Sequence, residues 1–582
     1  MSKSASIYRT AVAFAALAAA ACGSNGLNPK TDLNAVFNKT ISNAPVVTYT
    51  VQRSNGAAVS SGSAVNVDTT STFNGWLTIG TTRNVSTNAS GVGTAALPNG
   101  TYPVYVNANV GGSGTFLGVG RLIDSISVSG DTARTYKTSL QTWTVTSPVN
   151  MKAVRVSIYQ VDAGGKALYS TRQNAQDPLI LSRSLSFANT TSTTFTSELF
   201  KGSYRAVIIA TPSASTDAIA PFETAKFEAA GGGAQETQSV TLTGNQNLIA
   251  LKIQDGATAV PDNQVGSVEA FDRSSFVSLG TTSYTGGIAN VRTGSVGDVY
   301  VSVSSADGSF MAFKALTAAS TATQVTLNRY QVTGHVKPVG GASITPAGTN
   351  YGTVTAYVRP SFGQPFDTFF QGASATPVTL SDPTGAYTLK LVEGSYDLKA
   401  EGVPSFVTPQ TVTLTAATAT QDLSVDAGAK ISGSVKDQSA NNVSGLNVSV
   451  FDSAHNIVTG GSTAADGTFS VDVPAGSYDV FVGGALSGSP TVGVSGTASM
   501  DLTQFQITGR LQDPLSNPFS GRVRWGGGSV NTSTTAAGTY VLQVVQGLNW
   551  FQFSSTSNTS VAAFLYEPLV QVDSNTLKSI PQ

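Results

Sequence analysis

The chain has 582 residues, about twice the length at which a single hydrophobic core stops growing, so we expect several domains. Charged residues are only 11% of the chain and the formal net charge is -1, which excludes the basic surface that nucleic-acid binding requires. One cysteine and two histidines exclude a disulfide framework and a cysteine-rich or histidine-rich metal site. Apolar residues, 40% of the chain, alternate with small polar ones, which argues against disorder and predicts an all-β fold.

The first residues have the features of an export signal. Lys3 and Arg9 precede an apolar run, residues 11–21, that is too short to span a bilayer as a mature helix. Cys22, the only cysteine of the chain, follows the run directly. We therefore expect residues 1–21 to be a signal peptide and residues 22–44, which are polar, to be a flexible tether.

This segment resembles a bacterial lipoprotein signal. The resemblance implies that Cys22 becomes the first residue of the mature protein and carries acyl chains such as palmitate. Acylation would attach the protein to a bacterial membrane, at the outer membrane or the cell surface. Ordinary cleavage after Ala21, followed by secretion, is the alternative, because small residues also suit the general signal peptidase.

A repeated pair of glycines predicts six modules. In module 5, Gly467 and Gly476 are nine positions apart, with alternating valines between and after them. The same spacing occurs at three other pairs, Gly91 and Gly100, Gly385 and Gly394, and Gly538 and Gly547. Module 2 has Thr193 in place of the first glycine, and module 3 spaces Gly287 and Gly297 by ten. The predicted modules 1 to 6 are residues 45–140, 141–244, 245–328, 329–427, 428–503 and 504–582.

Each glycine pair predicts a strand, a turn and a second strand. The first glycine suits a positive φ in a turn, and an aromatic residue two positions after the second glycine would cover the end of a core. Val332, Ile431 and Ile507 each open one of the last three modules directly after a strand that ends the previous one, so we expect almost no linkers. Six modules in line would reach on the order of 200 Å.

Modules 4 to 6 resemble carboxypeptidase regulatory-like domains, which are transthyretin-like sandwiches with a carbohydrate-binding-like fold. The best match is Ile431 to Val482, which contains ISGSV and ADGTFSVDVPAGSYDV. Together with the repeated glycine pairs, the resemblance predicts a tandem array of about six Ig-like or transthyretin-like β-sandwich domains after a signal peptide. It also implies non-catalytic modules that act as spacers, adhesive units or attachments.

The related collagen-adhesin B-type (Cna-B-like) repeats carry isopeptide bonds between a lysine, an asparagine and a catalytic acid. Lys337 and Lys436 lie in first strands. The acid is missing in module 5, and Glu401 in module 4 is one residue out of register, so we expect no such bond.

No set of residues predicts catalysis, a metal site or a cofactor. His335 and His455 begin no metal-binding spacing and are expected at the surface. Asp307-Gly308, Asp382-Pro383 and Asp466-Gly467 are expected to be capped turns, because they lack the oxygen ligands of a calcium loop. A calcium ion shared between modules stays open as an alternative. We predict that the chain is not an enzyme.

Two tryptophans are the candidate ligand-binding residues. Phe551 and Phe553 take the alternate positions of the strand, so Trp550 is placed to face outward and stack on a sugar. Trp525, which precedes three glycines, is the second candidate for such stacking. The alternative is that both rings belong to the core.

The sequence thus predicts a modular structural or adhesive lipoprotein of the cell envelope. Its predicted partners are the membrane, through the lipid anchor, and envelope proteins or a polysaccharide, with no nucleic acid. A carbohydrate-binding surface protein and a subunit of a secretion, pilus or surface-layer assembly are the alternatives.

Overall fold

The computed structural model confirms the all-β class, since all of its described regular structure is strand. The described residues are 39–59, 64–73, 75, 77–108, 110–168, 178–244, 247–255, 258–259, 265–306, 311–319, 323–338, 353–359, 378–380, 384–401, 410–415, 419–425, 429–453, 455, 457–493, 496–526, 530–533, 537–556, 561–562, 564–573 and 577–579. Within these ranges there is no helix of the length and hydropathy needed to cross a membrane. The predicted signal peptide, Cys22 and the first part of the tether lie outside them.

The first half of the chain contains the strands of modules 1 to 3. The strands up to the end of module 1 are β1 (Lys39–Thr40), β2 (Val46–Gln52), β3 (Ala64–Phe73), β4 (Leu77–Ser86), β5 (Val92–Ala96), β6 (Gly100–Asn107), β7 (Val110–Ser113), β8 (Phe116–Val119), β9 (Leu122–Val128) and β10 (Thr132–Lys137). Module 2 contains β11 (Ser139–Gln160), β12 (Leu179–Leu199), β13 (Gly202–Pro212), β14 (Phe222–Glu223), β15 (Phe227–Ala229) and β16 (Gln235–Thr241). Module 3 contains β17 (Leu248–Asp255), β18 (Thr258–Ala259), β19 (Val265–Asp272), β20 (Ser278–Thr285), β21 (Ile288–Arg292), β22 (Asp298–Ser305) and β23 (Met311–Thr317).

The second half contains two long strands that pass from one module into the next. The first, β24 (Thr323–Pro338), runs from module 3 into module 4, which continues with β25 (Thr353–Val358), β26 (Val378–Thr379), β27 (Ala386–Val392), β28 (Gly394–Glu401), β29 (Gln410–Leu414), β30 (Ala419–Thr420) and β31 (Leu423–Val425). Module 5 contains β32 (Ala429–Asp437), β33 (Asn447–Asp452), β34 (Ile457–Ser462), β35 (Thr468–Val473), β36 (Gly476–Val482), β37 (Ala485–Gly488) and β38 (Thr491–Val492). The second long strand, β39 (Thr497–Gln512), leads into module 6, with β40 (Gly521–Trp525), β41 (Val530–Ser533), β42 (Thr539–Val545), β43 (Gly547–Ser555), β44 (Leu565–Val572) and β45 (Leu577–Ser579).

One pairing rule recurs along the chain. The first strand of a module pairs antiparallel with the strand after the first glycine turn, as β32 does with β35. On its other edge it pairs parallel with the last strand of the same module, as β32 does with β39. At two of the five junctions that last strand continues as the first strand of the next module, because β24 and β39 cross the predicted boundaries without a break. Modules 3 and 4, and modules 5 and 6, are therefore joined through continuous strands.

The first glycine of each pair has the predicted role, whereas the strands before and after the second glycine do not pair with each other, as β35 and β36 show. Gly467 has φ +76° and its added Cβ would lie 2.6 Å from the Val435 carbonyl oxygen, so a side chain does not fit in this turn. The tyrosine two positions after the second glycine covers the end of the core and also makes a hydrogen bond. Its hydroxyl donates a hydrogen bond to the carbonyl four residues earlier, as Tyr478 does to Pro474 at 2.7 Å. The same bond is made by Tyr102, Tyr204 and Tyr396.

Module 6 makes this bond with a different residue. Asn549, which is fully buried, donates from Nδ2 to the Val545 carbonyl at 3.1 Å, again four residues earlier. The bond spans the turn between β42 and β43, which belong to different sheets, and satisfies a buried carbonyl. A shorter polar side chain thus replaces the tyrosine hydroxyl at this position.

The modules do not have separate cores. The buried cluster of module 1 includes Phe200 from module 2 and Phe564 from module 6. The cluster of module 3 includes Tyr159 and Val207 from module 2, and Val392 from module 4. Because neighbours bury side chains in each other's cores, their relative positions are fixed by packing.

The two ends of the array meet. Strand β1 pairs parallel with the end of β39, with Lys39 beside Leu511 and Thr40 beside Gln512. The prediction of a flexible tether is therefore wrong for residues 39–44, whose main chain is bonded to module 6. The prediction of six modules in an open line is also wrong, because module 1 contacts both module 2 and module 6. Pairing between residues 472 positions apart cannot be deduced from a local sequence pattern.

Candidate functional site

Both candidate tryptophans are buried. Trp550 is 2% exposed and Trp525 is 6% exposed, so the outward orientation that sugar stacking requires is wrong for both rings. Trp525 lies in the core cluster of module 6. Trp550 does point away from that core, as its alternation with Phe551 predicts, but module 5 covers it.

The contacts of Trp550 explain why the strand pattern wrongly predicted an exposed ring. Its ring packs against Phe481 and Leu486 of module 5, with Tyr566 at the edge of the same cluster. The sheets of modules 5 and 6 are continuous here, because β37 pairs with β43 at Leu486 and Leu548. A strand at a module junction is buried on both faces, and alternation alone cannot distinguish such a face from a solvent-exposed one.

The described residues contain no group of three or more His, Cys, Asp or Glu side chains placed to hold a metal ion. His455 is exposed in a turn, and His335 is half-exposed with its Nδ1 3.5 Å from an Asp422 oxygen, so both lie at the surface as expected. Asp466 accepts hydrogen bonds from the amide and hydroxyl of Thr468, which confirms it as a turn cap. The other two predicted turns, at Asp307 and Asp382, lie outside the described residues. Lys436 is exposed, away from the core.

An open cleft of about 740 Å³ lies on module 3. Its charged residues interact with each other, since Arg273 lies 4.0 Å from Asp298 and its guanidinium lies over the Tyr300 ring. Asp272 accepts hydrogen bonds from the amide and hydroxyl of Ser274. A serine bonded to a carboxylate without a histidine is not an activated nucleophile, so this cleft does not assemble a hydrolytic site.

The junction of modules 1 and 2 is centred on a buried carboxylate, Glu198, which is 2% exposed. It accepts hydrogen bonds from the Arg53 guanidinium at 2.8 Å, the Ser54 amide at 3.0 Å and the Thr138 hydroxyl at 2.6 Å. Burial alone would raise the pKa of Glu198, but these bonds and the charge of Arg53 hold the pKa below its ordinary value. The carboxylate therefore stays ionised and joins module 2 to the first loop of module 1.

A second buried carboxylate, Glu223, behaves differently at the junction of modules 2 and 3. Burial and the charge of Asp272 raise the pKa of Glu223 to about 7, although Ser275 and Arg205 act in the opposite direction. Arg205 donates to its Oε1 at 2.7 Å. Because the Asp272 carboxylate raises the pKa of Glu223 across the module junction, uptake of a proton by Glu223 links this contact to pH.

The closing junction of modules 1 and 6 is built from apolar and main-chain contacts. Phe564 packs edge-on against Tyr102 of module 1, with ring centroids 6.1 Å apart. The Tyr566 hydroxyl donates to the Thr69 carbonyl at 3.1 Å. Ile41, which is fully buried, lies in the core of module 6. Together these contacts hold the two ends of the chain against each other.

Sequence reasoning missed the two carboxylates and Ile41. Glu198 and Glu223 stand in strands among alternating residues, and no local pattern shows that a neighbouring module covers them. Ile41 is one of several large apolar residues in the predicted tether, with Leu27, Leu33, Val36 and Phe37, and the local pattern does not show which of them docks.

No protein-family model matches the sequence, and no curated protein matches it. Among solved structures, the chain is similar to the Bacillus anthracis TIE protein, with 10% identity over 69% of this chain and 70% of that chain, at a TM-score of 0.13. It is also similar to a streptococcal ancillary pilin, with 9% identity over 66% of this chain and 99% of that chain, at a TM-score of 0.13.

A third similar structure is BcpA, the major pilin subunit of Bacillus cereus, with 11% identity over 63% of this chain and 99% of that chain, at a TM-score of 0.13. TM-scores this low do not transfer a function to this chain. The structure itself establishes an all-β protein built from tandem β-sandwich modules.

Proposed function

We propose that this protein is a non-catalytic lipoprotein of the bacterial cell envelope, whose modules form a rigid structural or adhesive scaffold. The observation that carries this proposal is the mutual burial of side chains between neighbours, such as Phe200 and Phe564 in the core of module 1. Flexible strings of domains have small polar interfaces, whereas these interfaces bury aromatic rings within the core of the neighbouring module.

Export and anchoring come from the sequence. The apolar run before Cys22 and the absence of any other cysteine support acylation at this residue. The anchored chain would then present a surface rich in serine and threonine and poor in charge to envelope proteins or a polysaccharide. A sugar site built on Trp525 and Trp550 receives no support, because both rings are buried.

The experiment that tests the proposal is mass analysis of the mature N-terminus, purified from membranes of the native host. We expect acyl chains on Cys22, and a Cys22→Ala variant that is released from the membrane. An unmodified N-terminus on a protein recovered from the medium would contradict lipid anchoring and leave a secreted protein. Limited proteolysis of the same sample checks the scaffold, because a rigid array resists cleavage between its modules.

A further inference from the structure

Module 6 differs from the other modules in how the edge of its first strand is covered. In modules 1, 2, 3 and 5 this edge pairs parallel with the last strand of the same module, through ladders of six to eight residue pairs. Module 4 covers the edge with β30 and β31. The last strand of module 6, β45, instead pairs with β44 on the opposite sheet. Among the described strands of module 6, none covers this edge of its first strand.

Residues 39–44 occupy this edge. The Ile41 amide donates to the Gln512 carbonyl at 3.0 Å, and the Gln512 side chain donates to the Thr40 hydroxyl at 3.2 Å. On the other side, the Ala562 amide donates to the Ser42 carbonyl at 2.9 Å, and Asn43 forms a β-bridge with Val561. The segment therefore lies in a groove, bonded by main chain on both sides.

One side chain of the segment fills an apolar pocket. Ile41 is fully buried among Leu511, Val561 and other residues of the module 6 core, and Ala44 packs partly buried against the same cluster. The two positions between them, Ser42 and Asn43, are exposed. Main-chain bonds that give affinity and one buried side chain that gives selectivity are the features of strand addition to a sheet edge.

The segment is rigidly coupled to module 1. Only Pro45 separates Ala44 from β2, and its carbonyl accepts a hydrogen bond from the Leu97 amide at 2.9 Å. The segment and module 1 therefore dock on module 6 as one body, and covalent linkage raises the effective concentration of the segment at the groove.

We propose that module 6 carries a binding site for an extended peptide strand, which residues 39–44 occupy in cis, and that the site takes the same segment from a second copy when its own is withdrawn. The ligand class is an extended peptide with an isoleucine at the buried position, small polar residues at the next two and alanine after them. Donor and acceptor lie at opposite ends of one chain, so occupation in cis closes the array, and occupation in trans joins two chains head to tail.

Cross-linking tests the occupation in cis. In the full chain with Cys22→Ser, we combine Thr40→Cys with Gln512→Cys, two positions paired across neighbouring strands and so within disulfide reach. We expect an intrachain disulfide under mild oxidation, identified by peptide mapping. The matched control combines Thr40→Cys with Lys436→Cys, the equivalent exposed position before the turn of module 5, and should form none. Failure of the first pair to cross-link overturns the proposal, and so does equal cross-linking by the control.

Peptide binding tests the site itself. An Ile41→Asp substitution in the full chain places a charge in the apolar pocket and should withdraw the segment. We expect a fluorescent peptide with the sequence of residues 39–45 to bind this variant saturably, and to bind the unaltered chain at least tenfold more weakly, since its site is filled. The same peptide carrying aspartate in place of isoleucine should not bind.

A second variant keeps this test decisive if Ile41→Asp unfolds module 6. Ile41→Ala removes the pocket contact without adding a charge, and the peptide should then restore the native fluorescence of Trp525, which lies in the same core cluster as Ile41. Absence of saturable binding to both variants overturns the proposal. Because neither readout depends on lipid or on the envelope, the outcome is independent of the proposed function.

Discussion

Module 1 contacts two other modules, and different interactions stabilise the two junctions. Module 2 follows it along the chain, and that junction combines an inserted ring, Phe200, with the buried ionised Glu198. Module 6 reaches it from the far end of the chain, and that junction combines an inserted ring, Phe564, with strand pairing and one tyrosine hydroxyl. The covalently continuous junction holds a buried carboxylate through charge-assisted hydrogen bonds, whereas the described residues of the closing junction contribute apolar burial, main-chain pairing and a tyrosine hydroxyl.

The largest expected effect comes from removing the two inserted rings. Phe200→Ala and Phe564→Ala should each destabilise module 1 by about 3 to 5 kcal/mol, from lost burial and the cavity left behind. We expect the larger loss for Phe200, which is 1% exposed against 9% for Phe564. Hydrogen exchange followed by mass spectrometry measures where protection is lost.

The segments that lose hydrogen-exchange protection distinguish the two junctions. Phe200→Ala should lower protection in modules 1 and 2, and Phe564→Ala should lower it in module 1, module 6 and residues 39–44. Unchanged protection of residues 39–44 in Phe564→Ala would contradict closure through this contact.

A third junction, between modules 2 and 3, should respond to pH through Glu223. Its pKa of about 7 in the folded chain lies above the ordinary 4.5, so the folded state holds the proton more tightly. This contribution is fully present below about pH 4.5 and is lost as the pH rises to 7, a change of about 3 kcal/mol.

Chemical denaturation between pH 4.5 and pH 8 measures this pH dependence, and Glu223→Gln should flatten it. The matched control, Glu228→Gln, alters an exposed carboxylate of the same module and should keep the slope of the unaltered chain. An identical slope in Glu223→Gln would show that this carboxyl group does not carry the proton.

Glu198 should behave in the opposite sense. Its lowered pKa means that the stabilisation is present above the ordinary carboxylate pKa and is lost as the pH falls through the folded value. Glu198→Gln should cost about 2 kcal/mol, because it removes charge-assisted bonds from Arg53 and Thr138. Thermal unfolding measures the loss, and Arg134→Ala, an exposed arginine of module 1, is the control that should change little.

The smallest expected effect is at the closing junction. Tyr566→Phe removes the hydrogen bond to the Thr69 carbonyl and should cost about 1 kcal/mol. Faster hydrogen exchange in residues 39–44 checks this result. Tyr136→Phe, which removes a bond to Asp124 inside module 1, should leave that segment protected. Equal effects of the two substitutions would mean that Tyr566 does not act at the junction.

Much of the fold follows from the sequence. The alternation of apolar residues predicts strands because successive side chains of a strand point to opposite faces. The glycine turns are also predictable, since Gly91 and Gly467 stand at positions where the backbone φ is positive and a side chain would collide with a carbonyl of the first strand. These features depend on neighbours within a few residues.

Much less of the candidate site could be predicted from the sequence. The alternation along the strand correctly predicts that Trp550 and Phe551 lie on opposite faces. The sequence could not show that module 5 covers the face of Trp550. Glu198 and Glu223 were missed because their partners, Arg53 and Asp272, lie in other modules.

The sequence by itself determined the strands, their turns and the repeat of the modules, because these are set by local sterics and by the period of the side chains. Only the tertiary structure decided which exposed-looking faces become junctions and where Ile41 docks. The physical reason is sequence distance: a contact across 472 positions depends on the shape of everything between its partners, and no local pattern encodes that shape.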